Sequence, residues 1–114
     1  QTCALPILCV GCIAVIPGEF EYSRSGEIGY WLSQQYWGQG IITQAIELIT
    51  KEVFESTNLN RIHAAVFAGN VGSMSALLKN GFNNEAILKK AIYKNGHYFD
   101  SYVFSVLKQS NCSN

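Results

Sequence analysis

Charge is scarce in this 114-residue chain. Asp, Glu, Lys and Arg make up 14% of it, against about 25% in an ordinary soluble domain. Eight basic and eight acidic residues cancel, so no net field gathers nucleic acid or an anionic membrane surface, and neither is expected as a partner. Proline occurs only twice, and no internal repeat or low-complexity tract is present. The apolar run from Cys3 to Ile16 is too short to span a bilayer and is broken by Pro6 and Gly11. The basic leader and initiating Met of a signal peptide are missing. Val10-Gly11-Cys12 faintly resembles a lipoprotein cleavage site, but without that leader. A cytoplasmic location is the expectation.

The four cysteines, Cys3, Cys9, Cys12 and Cys112, are crowded at the two ends and make no disulfide framework. Cys9 and Cys12 form a C-x-x-C, yet no second Cys/His pair follows at zinc spacing. Residues three apart in a strand face opposite sides. No metal is expected, and the thiols read as small buried apolar groups. Residues 1–7, Gln-Thr-Cys-Ala-Leu-Pro-Ile, are what a common sequencing-adaptor end spells in translation. They read as a non-native leader, with a genuine short N-terminal segment as the alternative. A domain over 8–109 and a tail over 110–114 follow.

Hydrophobic residues are plentiful, at 48% with 12% aromatic, which suits one compact domain. Ile7 to Ile16 reads as an apolar strand ending at the turn Pro17-Gly18. Glu27-Ile-Gly-Tyr-Trp-Leu32 alternates as a second strand, and the pair reads as an antiparallel hairpin with a long loop. Gly38-Gln-Gly40 opens a helix whose apolar residues Ile42, Ala45, Ile46, Ile49 and Val53 recur at helical spacing and which ends near Ser56-Thr57. Arg61 to Phe67 is a short strand. Asn70 starts a second helix with Met74, Leu77 and Leu78 as its buried stripe, and Asn80-Gly81-Phe82 closes it through a left-handed glycine and an apolar contact. A final hairpin has strands near Glu85–Tyr93 and Tyr98–Leu107 around the turn Asn95-Gly96. The order ββαβαββ predicts an α/β fold on a mixed, mostly antiparallel central sheet flanked by helices.

Trp37-Gly-Gln-Gly-Ile-Ile-Thr43 joins a strand to an amphipathic helix. Glycines let backbone approach a ligand, and a helix start offers unpaired N–H groups, a combination suited to pyrophosphate. A tight strand-to-helix turn is the plainer alternative. The Gly-Lys-Ser/Thr ending of a P-loop and the third glycine of a dinucleotide fingerprint are absent.

Glu27-Ile-Gly-Tyr-Trp-Leu32, followed by Tyr36-Trp-Gly-Gln-Gly-Ile-Ile-Thr-Gln-Ala45, resembles the acetyl-CoA motif of the GNAT N-acetyltransferase superfamily. Asn70-Val-Gly-Ser73 with Gly81-Phe82 resembles its next motif at matching distance. The branch it is most similar to contains the ribosomal-protein N-terminal acetyltransferases, and the likeness runs from about Leu8 to Leu107. The resemblance implies the acyl-CoA N-acyltransferase fold, with the strands Glu27–Leu32 and Arg61–Phe67 parting at one end around acetyl-CoA as co-substrate. Tyr30, Trp31 and Leu32 would offer a backbone edge to the pantetheine arm. Trp37, Gly38, Gln39, Gly40, Ile41, Ile42 and Thr43 would hold the pyrophosphate, and Asn70 would contact the pantetheine. Family members normally begin with a strand, two helices and another strand. The resemblance therefore places the start of this chain near the third strand and leaves the edge of Ile7–Ile16 exposed, where a homodimer could form.

Departures matter. Arg or Gln often stands where Trp37 is, and a small residue where Ile42 is. Many relatives carry a Tyr at the position of Leu77 that protonates the leaving thiolate. Ser73, one turn upstream, is the substitute expected here; its alternative is an ordinary first-turn hydroxyl. Glu27, expected to be partly buried with a raised pKa, is the candidate base. The alternative for it is a strand-end carboxylate facing solvent or paired with Arg24 or Arg61. A backbone N–H near the strand distortion would polarise the carbonyl. His63 and His97 read as bystanders, and Lys89, Lys90 and Lys94 as solvated surface.

An α-amine of pKa about 8 is roughly one-tenth neutral at pH 7, whereas lysine is neutral in less than about one part in a thousand. One weak base thus favours a protein N-terminus or a small-molecule amine as acceptor. The function expected is direct acetyl transfer to such an amine. Two alternatives remain: a noncatalytic acyl-CoA-binding or β-edge dimerisation module, and a β-rich interaction domain without CoA.

Overall fold

A computed structural model describes residues 10–109. Its elements are β1 (Gly11–Pro17), β2 (Ser25–Leu32), α1 (Ile41–Ser56), β3 (Arg61–Phe67), α2 (Val71–Lys79), β4 (Asn83–Lys94) and β5 (His97–Leu107). Two short 3-10 turns, Phe20–Tyr22 and Gln34–Tyr36, stand where the sequence reading had only loop. One five-stranded sheet runs in the order β1-β2-β3-β5-β4. All its pairings are antiparallel except β2 with β3. The expected mixed, mostly antiparallel α/β architecture is present, in the expected order. The leader at residues 1–7, Cys3, Cys9, Cys112 and the tail lie outside the described residues.

Side chains alternate between the faces of a sheet, and here the helices cover one face. Ile28 of β2, Ile62, Ala64 and Val66 of β3 and Phe104 of β5 meet Ile46 of α1 and Ala76 and Leu77 of α2 in one core. The stripe read for α1 holds: Ile46 is fully buried, and Ile42, Ile49 and Val53 pack at its margin. The stripe read for α2 needs correction. Ala76 and Leu77 are buried, but Leu78 is 56% exposed, because only one edge of this nine-residue helix meets the sheet. Cys12 also departs from the reading of buried thiols and is exposed. It sits on edge strand β1, whose alternate residues Cys12, Ala14 and Ile16 are all exposed.

The Asn80-Gly81-Phe82 cap and the Asn95-Gly96 turn both form. Gly81 adopts φ +83°. The Phe82 amide donates to the Leu77 carbonyl (3.1 Å) and the Gly81 amide to that of Leu78 (3.1 Å), while Phe82 buries against the core. Asn95 and Gly96 both take positive φ, as a tight two-residue hairpin between right-twisted strands requires.

A forked sheet and the cleft it opens

The parallel pairing of β2 with β3 lasts three rungs, Ser25 with Arg61, Gly26 with Ile62 and Glu27 with His63. Beyond them β3 stays with β5 as far as Phe67, and β2 stays with β1 as far as Leu32. The two central strands therefore diverge, and β2 turns inward an edge that has no strand partner among the described residues from Ile28 onward. Inward backbone groups of this kind need partners.

A cleft of about 950 Å³ fills the fork, within the range of small-ligand sites. Its walls are the end of β2 (Tyr30, Trp31, Leu32), the loop into α1 (Trp37, Gly38, Gly40, Ile42, Thr43) and the start of α2 (Asn70, Ser73). Of the residues singled out from the sequence, these ten converge. Gln39, Ile41 and Glu27 are absent from the lining. The Gln39 side chain turns back to the Gln35 carbonyl (3.4 Å).

The loop is shaped by two left-handed glycines, Gly38 at φ +78° and Gly40 at φ +77°. A Cβ on either would meet nothing within 4 Å, so their faces are open to a ligand. Gly40 caps α1 with no side-chain hydrogen bond, which leaves the first amides of the helix, with their partial positive charge, for an anion. The Trp37 indole donates to the Leu32 carbonyl (2.7 Å). This clamps the loop onto the end of β2 and engages one of the three edge positions expected for the pantetheine.

Asn70 caps α2, its Oδ1 accepting from the Ser73 amide (3.0 Å). Its side-chain NH2 has no acceptor among the described residues. Asn80 Nδ2 donates to both the Thr43 carbonyl (3.0 Å) and the Ala76 carbonyl (2.9 Å), tying the two helices that frame the cleft.

The Tyr30 hydroxyl is hydrogen-bonded to Ser73 Oγ inside the cleft. Burial pushes the phenol above its usual pKa of 10, with the serine bond opposing the shift in part. Sequence reasoning used Tyr30 only for its backbone. The signal for its side chain was the alternation that puts residues 28 and 30 on the helix-covered face. Lys79 was also missed: Gly72, Ser75, Ala76 and Lys79 recur at helical spacing along the cleft-facing side of α2.

Glu27 does not have the burial expected of it. It is exposed on the opposite face, because residues at odd positions of β2 point away from the helices. It borders a second hollow of about 680 Å³ with Arg61 and His63. Arg61 is not its partner: that guanidinium pairs with Glu85 and donates to Ser25 Oγ (3.2 Å). Lys89 pairs with Asp100 (3.6 Å), and Lys94 lies over the Phe67 ring (5.3 Å).

Residues 6–83 match the family model described as an acetyltransferase (GNAT) domain. An uncharacterized N-acetyltransferase, YoaA, of Bacillus subtilis is 36% identical over 75% of this chain and 48% of its own length. Among solved structures, the ribosomal-protein-S5-alanine acetyltransferase of Vibrio fischeri is 31% identical. It superposes with a TM-score of 0.79 over 87% of this chain and 54% of its own. The microcin C7 self-immunity acetyltransferase MccE, solved with acetyl-CoA and AMP, is 32% identical with a TM-score of 0.68, over 74% of this chain and 47% of its own. The chain spans about half the length of each.

Proposed function

The chain belongs to the GNAT acetyltransferase family, and from that premise we propose that it transfers an acetyl group from acetyl-CoA directly to a primary amine, a protein N-terminus or a small molecule. The observation that carries this reading is the fork. A strand edge without a partner among the described residues, ending at two left-handed glycines and a helix start with no side-chain cap, offers what a chain of amides ending in a pyrophosphate needs.

Acetyl-CoA supplies the activated acetyl group. The backbone of Tyr30 and Trp31 pairs with the pantetheine amides, with the Asn70 side-chain amide facing them. Gly38 and Gly40 admit the pyrophosphate to the amides of Ile41, Ile42 and Thr43. Lys79 contributes positive charge along the same wall. The Tyr30 hydroxyl, held by Ser73, donates a proton to the leaving sulfur, which Leu77, sealed in the core, cannot do.

Glu27 stands on the last paired rung of the fork, on the face away from the cleft. It receives an ammonium arriving from that side and accepts its proton. An exposed carboxylate is a weak base, and an α-amine, about one-tenth neutral at pH 7, asks little of it.

Thiol release from acetyl-CoA with a panel of amines tests this reading. Tyr30→Phe should lower turnover about 100-fold, the low end for a positioned acid or base, with acetyl-CoA still bound. Turnover no greater than that of Glu27→Gln, from a chain that binds acetyl-CoA, would instead assign it as a noncatalytic acyl-CoA-binding module.

A further inference from the structure

The hollow on the face away from the helices has a chemistry of its own. Ile16, Pro17, Gly18, Glu19, Phe20, Tyr22 and Ser25 border it on one side, Glu27, Arg61 and His63 on the other. Three of its apolar members are strongly exposed: Phe20 at 85%, Tyr22 at 72% and Ile16 at 68%. Their presentation is built into the backbone. Phe20 sits at φ +56°, a left-handed conformation that bulky residues rarely take. The loop behind it is closed by the Gly18 amide donating to the Ser25 carbonyl (2.8 Å) and the Tyr22 amide to that of Glu19 (2.9 Å). A Cβ on Gly18 would lie 2.6 Å from the Tyr22 carbonyl oxygen, so only glycine allows this close a turn.

The charges beside this apolar wall are unequal. Arg61 is engaged by Glu85 and Ser25. Glu19 and Glu27 form no ion pair among the described residues, so the hollow presents two unneutralised carboxylates. His63 stands next to Glu27 across the last rung. Its Nδ1 is buried without a hydrogen-bond partner.

From this juxtaposition we infer that the hollow is the acceptor subsite and that it takes a primary amine carrying an aromatic or large apolar group. The ammonium lies against Glu27 at the fork, with Glu19 adding attraction. The apolar group lies on Phe20, Tyr22 and Ile16, whose rings also favour a nearby cation. The inference rests on the acetyl-transfer reading and names its substrate class.

Two α-amines that differ only in side chain, phenylalaninamide and serinamide, test it. Phenylalaninamide should be preferred in kcat/KM by about tenfold, the low end of what an apolar pocket discriminates. The preference should fall below about threefold in Phe20→Ala and Tyr22→Ala, with acetyl-CoA binding confirming that each variant is folded. Serinamide turned over as well or better, or a preference that survives both variants, would overturn the inference. NMR titration with phenylalaninamide supplies a readout independent of turnover. Shifts at Phe20, Tyr22, Glu27 and His63 support the subsite, and their absence at millimolar ligand contradicts it. Failure to bind acetyl-CoA would bring down the transferase reading alone, since the titration still reports on the hollow.

Discussion

At the scale of single residues, the chain separates two kinds of polar group by face. Tyr30 and Ser73 meet on the helix-covered side, where burial raises the phenol's pKa. Glu85, Ser105 and Arg61 form a network on the other side. There the Ser105 hydroxyl, and after it the Arg61 guanidinium, hold the Glu85 carboxyl below its usual pKa. A carboxylate depressed in the folded state contributes stability that is present above its unfolded pKa, about 4.3, and is lost as pH falls through the folded value. Urea titrations between pH 7 and pH 3 should show stability falling below about pH 4.5, and Glu85→Gln should flatten that limb. An unchanged limb in the variant would place the acid sensitivity elsewhere. The sequence held the residues of this network without its pairing, since Glu85 lies in a bulge where β4 slips register against β5. Glu27 was legible as a cleft-strand carboxylate, with burial and a solvent-facing position both open, because strand alternation fixes opposite faces and only packing decides which face the helices cover.

At the scale of elements, turns and caps were the most readable parts of the chain, because each is decided by a few adjacent residues. Asn95-Gly96, Asn80-Gly81-Phe82 and the Asn70 cap form as local chemistry dictates. Leu78 was misread because helical spacing gives the width of an apolar stripe but not how much of it a neighbour covers. The two 3-10 turns carry no periodicity to detect, and the left-handed Phe20 runs against the preference of its residue type. Gly81→Ala tests the cap. At φ +83° a side chain is strained, although a Cβ there has open space, so the variant should lose about 1–2 kcal/mol. Chemical denaturation measures it, and a loss below about 0.3 kcal/mol would mean that the cap relaxes.

At the scale of the whole molecule, the fork organises function. Three rungs of parallel pairing hold β2 and β3 together at one end. The same strands carry the cleft on the helix side, while Glu27 and the second hollow lie on the other. The sequence showed the order of elements and the glycine loop directly, whereas the splay came only through family resemblance, since no local signal marks where a ladder stops. Most of the proposed cofactor site was therefore legible. The Tyr30 hydroxyl, Lys79 and the hollow proposed for the acceptor were not, being products of packing between distant segments. Calorimetric titration with acetyl-CoA tests the central claim most directly, using Gly40→Glu to place a strained side chain and a carboxylate in the anion cradle. Micromolar binding by the parent chain, weakened at least about 100-fold in the variant, is the expected result. Equal binding by both, or none by a folded parent chain, would contradict a cofactor site at the fork.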